Sequence, residues 1–393
     1  MSMLERAHAL ADEMSRLRRE IHKHPELAFE EVRTAALVAD TLREIGGIEI
    51  RTQVGKTGVI GDLGFGDGPT IAIRADMDAL PLHEATGLAH ASTTAGKMHA
   101  CGHDAHTAIL LGVAHLLKQE FASGQLKGRV RFLFQPAEEL GGDGVSGAPL
   151  MMKDGALEGV DHAIALHVVS EVPLGQAGMV RGPVTAAGDG FRGIVKATGG
   201  HGAYPHLGGD PIAIAASVIQ ALNAIVSRKI DPMYPAVCSL GVVRGGAAFN
   251  VIPAEVELAG TLRSFDPAIR EQLFAEVENA FALAKAMGGD YTLELQRGYP
   301  PGINDATVAQ WMDDVASGFL GAEAIDRHTV GMAGEDFAYM QQQVPGAMLM
   351  LGASVGDMNR PHHTPVFDID ERCMPIGAAI LAETVRRYLR QHE

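Results

Sequence analysis

Four short apolar runs, at residues 70–74, 129–134, 160–166 and 347–351, alternate with stretches of helical periodicity, and this alternation constrains the fold more than any other feature of the chain. Strands that are separated by helices join in parallel and bury both faces of their sheet. The pattern therefore predicts an α/β domain with a mostly parallel sheet. Residues 3–45 read as helices broken at His24-Pro25, residues 107–121 as an apolar helix, and residues 371–390 as a closing amphipathic helix. Residues 186–297 read differently. Asp210-Pro211 and Asp266-Pro267 each set an N-cap before a proline at the first helical position. Strand-like runs at 191–198, 236–243, 255–263 and 291–296 surround the two helices that follow. The order β-α-β-β-α-β is that of the split βαβ, or ferredoxin-like, unit. The expected organisation is an α/β domain made of residues 1–184 and 298–393, interrupted by an inserted α+β ferredoxin-like unit at 185–297.

A chain of 393 residues is long for one core, which agrees with two domains. Its formal charge of −16 argues against a nucleic-acid partner, whose footprint would be a basic patch. No apolar run approaches the ~20 residues of a membrane span, and residues 1–19 lack the apolar core of a secretory signal, so the expectation is no membrane and a cytoplasmic location. Three cysteines, Cys101, Cys238 and Cys373, are too few and too odd in number for a disulfide framework. Cys238 and Cys373 read as core or inert positions.

The chemistry gathers where the strands end. The run 70–74 leads into Asp76 and Asp78, the run 129–134 into Gln135-Pro136-Ala137-Glu138-Glu139, the run 160–166 into His167, and the run 347–351 into a loop with His362 and His363. Ligands of open parallel sheets bind at the carboxyl ends of the strands, so these groups converge on one edge. The segment His99-Ala100-Cys101-Gly102-His103-Asp104-Ala105-His106 lies between the first strand and the following helix and reaches the same edge. A thiolate and an imidazole two residues apart can grip one borderline metal. Neighbouring glutamates point to opposite sides, so of Glu138 and Glu139 one can ligate and the other act as base. Each group alone has a blander reading: a buried cysteine, a solvated Glu-Glu turn, a core histidine. A thiolate nucleophile at Cys101 is a rival chemistry that leaves Glu138, Glu139, His167 and the histidine pair unused. A closed structural zinc site is disfavoured because the candidate ligands are spread along the chain.

The segments 99–107, Gln135-Pro136-Ala137-Glu138-Glu139 and Gly334-Glu335-Asp336-Phe337 resemble the aminoacylase and hippurate-hydrolase group of metallopeptidase-type amidohydrolases, to which hydrolases of auxin–amino-acid conjugates and G-type carboxypeptidases are related. The resemblance runs from His22-Lys23-His24-Pro25-Glu26 to His363-Thr364-Pro365, nearly the whole chain. It implies a catalytic α/β domain interrupted by a lid that dimerises. It implies two divalent ions (Zn, Mn, Co or Ni) held by Cys101, His103, Glu139, His167 and His363, with Glu138 as general base and later acid. His363 is preferred to His362 because His363-Thr364-Pro365 matches the family's His-Ser-Pro pattern. The resemblance also implies that His201, in Gly200-His201-Gly202-Ala203-Tyr204-Pro205-His206, reaches the partner subunit's site to stabilise the oxyanion. Asn250 and Arg263 match positions that hold the substrate's carboxylate; unaided by the resemblance, Arg263 and His201 read as surface residues. Related two-zinc carboxypeptidases carry His-x-Asp after the first strand, where this chain has Arg74-Ala75-Asp76. The resemblance leaves Asp76 to orient a ligand. The implied reaction is hydrolysis of an N-acyl amino acid in a homodimer or higher homo-oligomer, the alternative being a dipeptidase or carboxypeptidase on the same scaffold.

Overall fold

The computed structural model describes every residue except 67, 125, 142–145, 357 and 391–393. Its larger sheet has the strand order Ile48–Val54, Gly58–Phe65, Gly128–Gln135, Thr70–Asp76, His162–Val169, Gly346–Gly352, Ala177–Gly178, Ile325–Asp326. The four long central strands are parallel, so their carboxyl ends share one edge. The flanks correct the mostly parallel expectation, because the sheet is mixed. Ile48–Val54 and Gly58–Phe65 form an antiparallel hairpin, and Ala177–Gly178 runs antiparallel to Gly346–Gly352. The hairpin follows from its short connection. Gly55 and Lys56 turn at φ 60° and 82°, and a link this short can join only antiparallel neighbours.

Side-chain alternation divides the core. Ile71 and Ile73 face one layer while Ala72 faces the other, and Phe132 and Phe134 oppose Leu133 in the same way. The helix His103–Ala122 is buried almost all round between the sheet and the helices Ala11–Lys23 and Cys373–Arg390. It begins four residues earlier than its apolar periodicity suggests, so His103 is its first residue. The helix Ala11–Lys23 stops at His24, before Pro25, as the residue ahead of a proline requires.

A second core is built from residues between Phe191 and Leu295. Its antiparallel strands lie in the order Ala236–Gly245, Glu255–Ser264, Ala187–Lys196, Asp290–Gln296, which is the ferredoxin-like arrangement. Asp210 accepts the N–H groups of Ile212 and Ala213, and Asp266 those of Ala268 and Ile269, so both Asp-Pro starts are N-caps. The helix Pro211–Arg228 is long and apolar enough to cross a membrane by length and composition alone. Here Ile214, Val218, Leu222 and Ile225 bury it against the four-stranded sheet. A short ribbon pairs Gly200–His201 with Val251–Ile252 outside that sheet.

Candidate metal centre

The strand Thr70–Asp76 is buried along its whole length and delivers Asp76 and then Asp78 to the shared edge. Asp78 organises what lies above it. Its backbone and side-chain oxygens lie 2.9 and 3.2 Å from His103 Nδ1, and its other carboxylate oxygen accepts the Glu139 N–H at 2.9 Å. His103 therefore turns Nε2 into the site. His167 is set likewise: Nδ1 donates to the Val168 carbonyl at 2.7 Å, and Nε2 lies 3.5 Å from Cys101 Sγ. The strand His162–Val169 continues two residues past His167, so this histidine sits within the sheet edge rather than after it.

Gly102 lets the loop close. At φ 99° it occupies left-handed space, and a Cβ there would lie 2.4 Å from Val168 Cγ2. His363 is also left-handed, at φ 57°, with its N–H bonded to Ala100 O at 2.8 Å, and its Nε2 reaches Glu139 at 3.2 Å. His362 also lines this edge, its ring centroid 5.5 Å from that of His167, but its Nε2 accepts the Ser170 N–H at 3.2 Å.

Among the described residues, five groups of three candidate ligands have their ligand atoms within 4.8 Å of one another, and two of them, Cys101–His103–His167 and Cys101–Glu139–His363, contain the cysteine. Cys101 belongs to both, so its sulfur stands between two positions. His103 Nε2 is buried without a hydrogen-bond partner and lies 3.9 Å from Glu139 Oε1, which His363 Nε2 approaches at 3.2 Å. Orphaned buried donors of this kind are costly unless something satisfies them. Thiolate, imidazole and carboxylate together suit a borderline divalent ion, so the residues fit a two-metal centre. The charge balance agrees. Against the cost of burial, Asp76 and Cys101 hold His103 well above the usual imidazole range, and a cation can take over the role of that proton. Burial, then Glu139, pushes the Cys101 thiol well up.

His106 is not available as a ligand, because its Nδ1 meets Asp76 at 2.6 Å and its Nε2 accepts the Val168 N–H at 2.9 Å. Asp76 thus supports His106 and Arg74 directly; the residue that orients His103 is Asp78, which the sequence placed at the strand end without a role. His99 is buried at the base of the loop, and burial lowers it to about 3.

Glu138 is 7% exposed. Burial, then the carboxylates of Glu335, Glu139 and Asp336, push it well above the usual range. Arg74 compensates part of this charge, meeting Asp76 at 2.6 Å, Asp336 at 2.8 Å and Glu335 at 3.0 Å. Tyr299, where the chain returns from the second core, donates to the Glu138 carbonyl and accepts the Gly141 N–H at 2.7 Å. No sequence signal marks Tyr299, because its partners lie some 160 residues away.

Cys101, Glu138, Glu139, His167, His363 and Arg263 line one cleft of about 880 Å³, within the size range of small-molecule sites. Arg263 is held by the carbonyls of Met332 and Leu262 and by the Thr261 hydroxyl. His201 and Asn250 are not brought to this cleft within the chain. Both are exposed on the outlying ribbon, with Phe249 fully exposed beside them.

The sequence profile described as "Peptidase family M20/M25/M40" matches residues 72–387. N-acetyl-L-cysteine deacetylase of Bacillus subtilis (strain 168) is 41% identical over 382 residues, covering 96% of this chain and 88% of that one. The IAA-amino acid hydrolase ILR1-like 4 of Arabidopsis thaliana is 39% identical over 386 residues, covering 96% and 86%. Among solved structures, a Bacillus subtilis protein described as a dinuclear metal-binding peptidase of the M20 family superposes with a TM-score of 0.84 at 35% identity, covering 97% of this chain and 99% of that one.

Proposed function

The chain belongs to peptidase family M20/M25/M40, and from that premise we propose that this metal-dependent amidohydrolase cleaves N-acyl amino acids into a carboxylic acid and a free amino acid. The observation that carries the reading is Glu138, a buried carboxyl whose oxygen lies within 4.8 Å of the donor atoms of His103 and Glu139, in a cleft that Arg263 also lines. Two divalent ions held by Cys101, His103, Glu139, His167 and His363 supply Lewis acidity, which polarises a carbonyl and acidifies water. Glu138 accepts the proton of the attacking water and returns it to the leaving nitrogen. Burial and the neighbouring carboxylates raise its proton affinity, which suits the return of that proton. Arg263 offers a guanidinium to the amino acid's carboxylate.

The ferredoxin-like unit, residues 185–297 in this reading, serves as lid and dimerisation domain of a cytoplasmic homodimer. The exposure of His201 and Asn250 supports this, since a ribbon that serves its own cleft has no reason to stand in solvent. In the dimer His201 would meet the oxyanion in the partner's cleft, and Asn250 would join Arg263 at the carboxylate. Zinc, manganese, cobalt and nickel are all compatible with the donor set.

The test is a panel of N-acetyl, N-benzoyl and dipeptide derivatives of one amino acid, assayed with each of the four metals. Hydrolysis of the N-acyl compounds with dipeptides inert is the expected result. Preference for dipeptides would transfer the chain to the dipeptidase reading, and inertness of metal-loaded protein toward the whole panel would remove both.

A further inference from the structure

Glu31 lies just before the helix Val32–Ile45, 106 residues from Ala137 in sequence, yet it is 0% exposed. One of its carboxylate oxygens accepts the Ala137 N–H at 2.9 Å, and the other accepts the Thr57 hydroxyl at 2.5 Å. Ala137 has φ 53°, a conformation that a residue with a Cβ adopts at a cost. Its carbonyl is also held, accepting the Gly147 N–H at 3.1 Å. Glu138 follows directly, so the direction of its side chain depends on that turn, whereas the Glu139 N–H is held separately by Asp78 at 2.9 Å. Thr57 is itself fixed, because the hairpin that carries it bonds Gly55 N–H to Asp154 at 2.8 Å and lays the Lys56 ammonium 3.7 Å over the Phe29 ring. An apolar side chain would fill this space at less desolvation cost, so a buried carboxyl here calls for a reason beyond packing.

We propose that Glu31 is a positioning residue for the reaction, which by holding Ala137 in its left-handed conformation aims Glu138 into the cleft. The proposal rests on the reading of Glu138 as the general base. Glu31 does not line the cleft, so its effect passes through the backbone of Ala137.

The experiment compares E31A, E31Q, T57V and E138Q, each loaded with Mn²⁺ and assayed on N-benzoylglycine and N-acetyl-L-cysteine. Metal content and hydrogen exchange at Ala137 are measured on the same samples. E31A is expected to lose about 10²-fold in kcat, the scale of a 1 Å misplacement, with KM nearly unchanged and two ions retained. Exchange at Ala137 should accelerate at least ~10-fold as its amide loses its acceptor. E31Q should recover most of kcat and the protection, since its amide oxygen accepts the Ala137 N–H and its NH₂ group donates to the Thr57 oxygen. An unchanged kcat in E31A, a loss that tracks metal content, or E31Q as slow as E31A would each overturn the proposal. Should E31A fail to fold, T57V keeps the question open to decision: it frees one carboxylate oxygen, and unchanged kcat and exchange would overturn the proposal. E138Q separates the two readings. If E138Q is inactive while E31A turns over normally, the positioning role alone fails; if E138Q turns over normally, the base reading beneath it fails.

Discussion

His103 Nδ1 lies 2.9 Å from the backbone oxygen of Asp78 and 3.2 Å from its carboxylate, which leaves Nε2 buried, unpartnered and turned toward Glu139. The same Asp78 accepts the Glu139 N–H, so one side chain orients two candidate ligands, one at a helix start and one in the loop after a strand. Asp78→Ala is expected to weaken metal affinity ~10–100-fold, as loss of a residue that orients metal ligands typically does. Chelator competition would measure this, and wild-type affinity would show that the ligands orient themselves.

Gly102→Ala meets two obstacles, the φ of 99° and a Cβ placed 2.4 Å from Val168 Cγ2. Left-handed strain and overpacking together predict a loss of roughly 2–4 kcal/mol. Denaturant unfolding of the metal-free protein would report it. A change below about 0.5 kcal/mol, the usual range for surface substitutions, would mean that the loop moves aside freely.

His22 predicts a pH dependence of stability. Burial alone would lower its pKa, but hydrogen bonds with Asp104 at 2.7 Å and Glu84 at 3.4 Å outweigh burial and raise it to about 9, against the ordinary imidazole value of 6.5. The folded state therefore holds the proton more tightly than the unfolded chain. The resulting stabilisation is fully present below pH 6.5 and is lost as pH rises through about 9. The linked term is on the order of 3 kcal/mol. Denaturant unfolding of wild type and His22→Gln at several pH values would reveal it: the gap between them should narrow between pH 6.5 and 9.5, and a constant gap would contradict the charged pair.

The proposal that His201 completes the partner subunit's site makes a prediction by complementation. His201→Ala and Glu138→Gln should each be inactive alone. Mixed under subunit exchange, random pairing makes about half the dimers hybrids with one intact site each, or roughly a quarter of wild-type activity. No recovery, with exchange verified by mass, would count against a site completed by the partner.

Much of this centre was legible before the fold. Parallel strands present their ends to one edge, so Asp76, Glu138, His167 and the His362-His363 loop had to converge once the strands were read. The sheet's mixed flank was less legible, because a hairpin depends on turn conformation at Gly55 and Lys56 rather than on apolar periodicity. Choosing His363 over His362 rested on resemblance alone. In the structure His362 Nε2 accepts the Ser170 N–H while its Nδ1 is buried without a partner, and His363 Nε2 lies 3.2 Å from Glu139.

By itself the sequence determined the α/β alternation, the inserted β-α-β-β-α-β unit and the residue types that can hold a metal, because periodicity, capping and donor chemistry are local properties. Only the tertiary structure decided which atoms of those residues are free. Asp78 leaves His103 Nε2 unpartnered, Asp76 and Val168 occupy both nitrogens of His106, and Glu31 and Tyr299 grip the turn on either side of Glu138. Such pairings join residues dozens to hundreds of positions apart, and a side chain's free lone pair is set by which neighbour satisfies the other one.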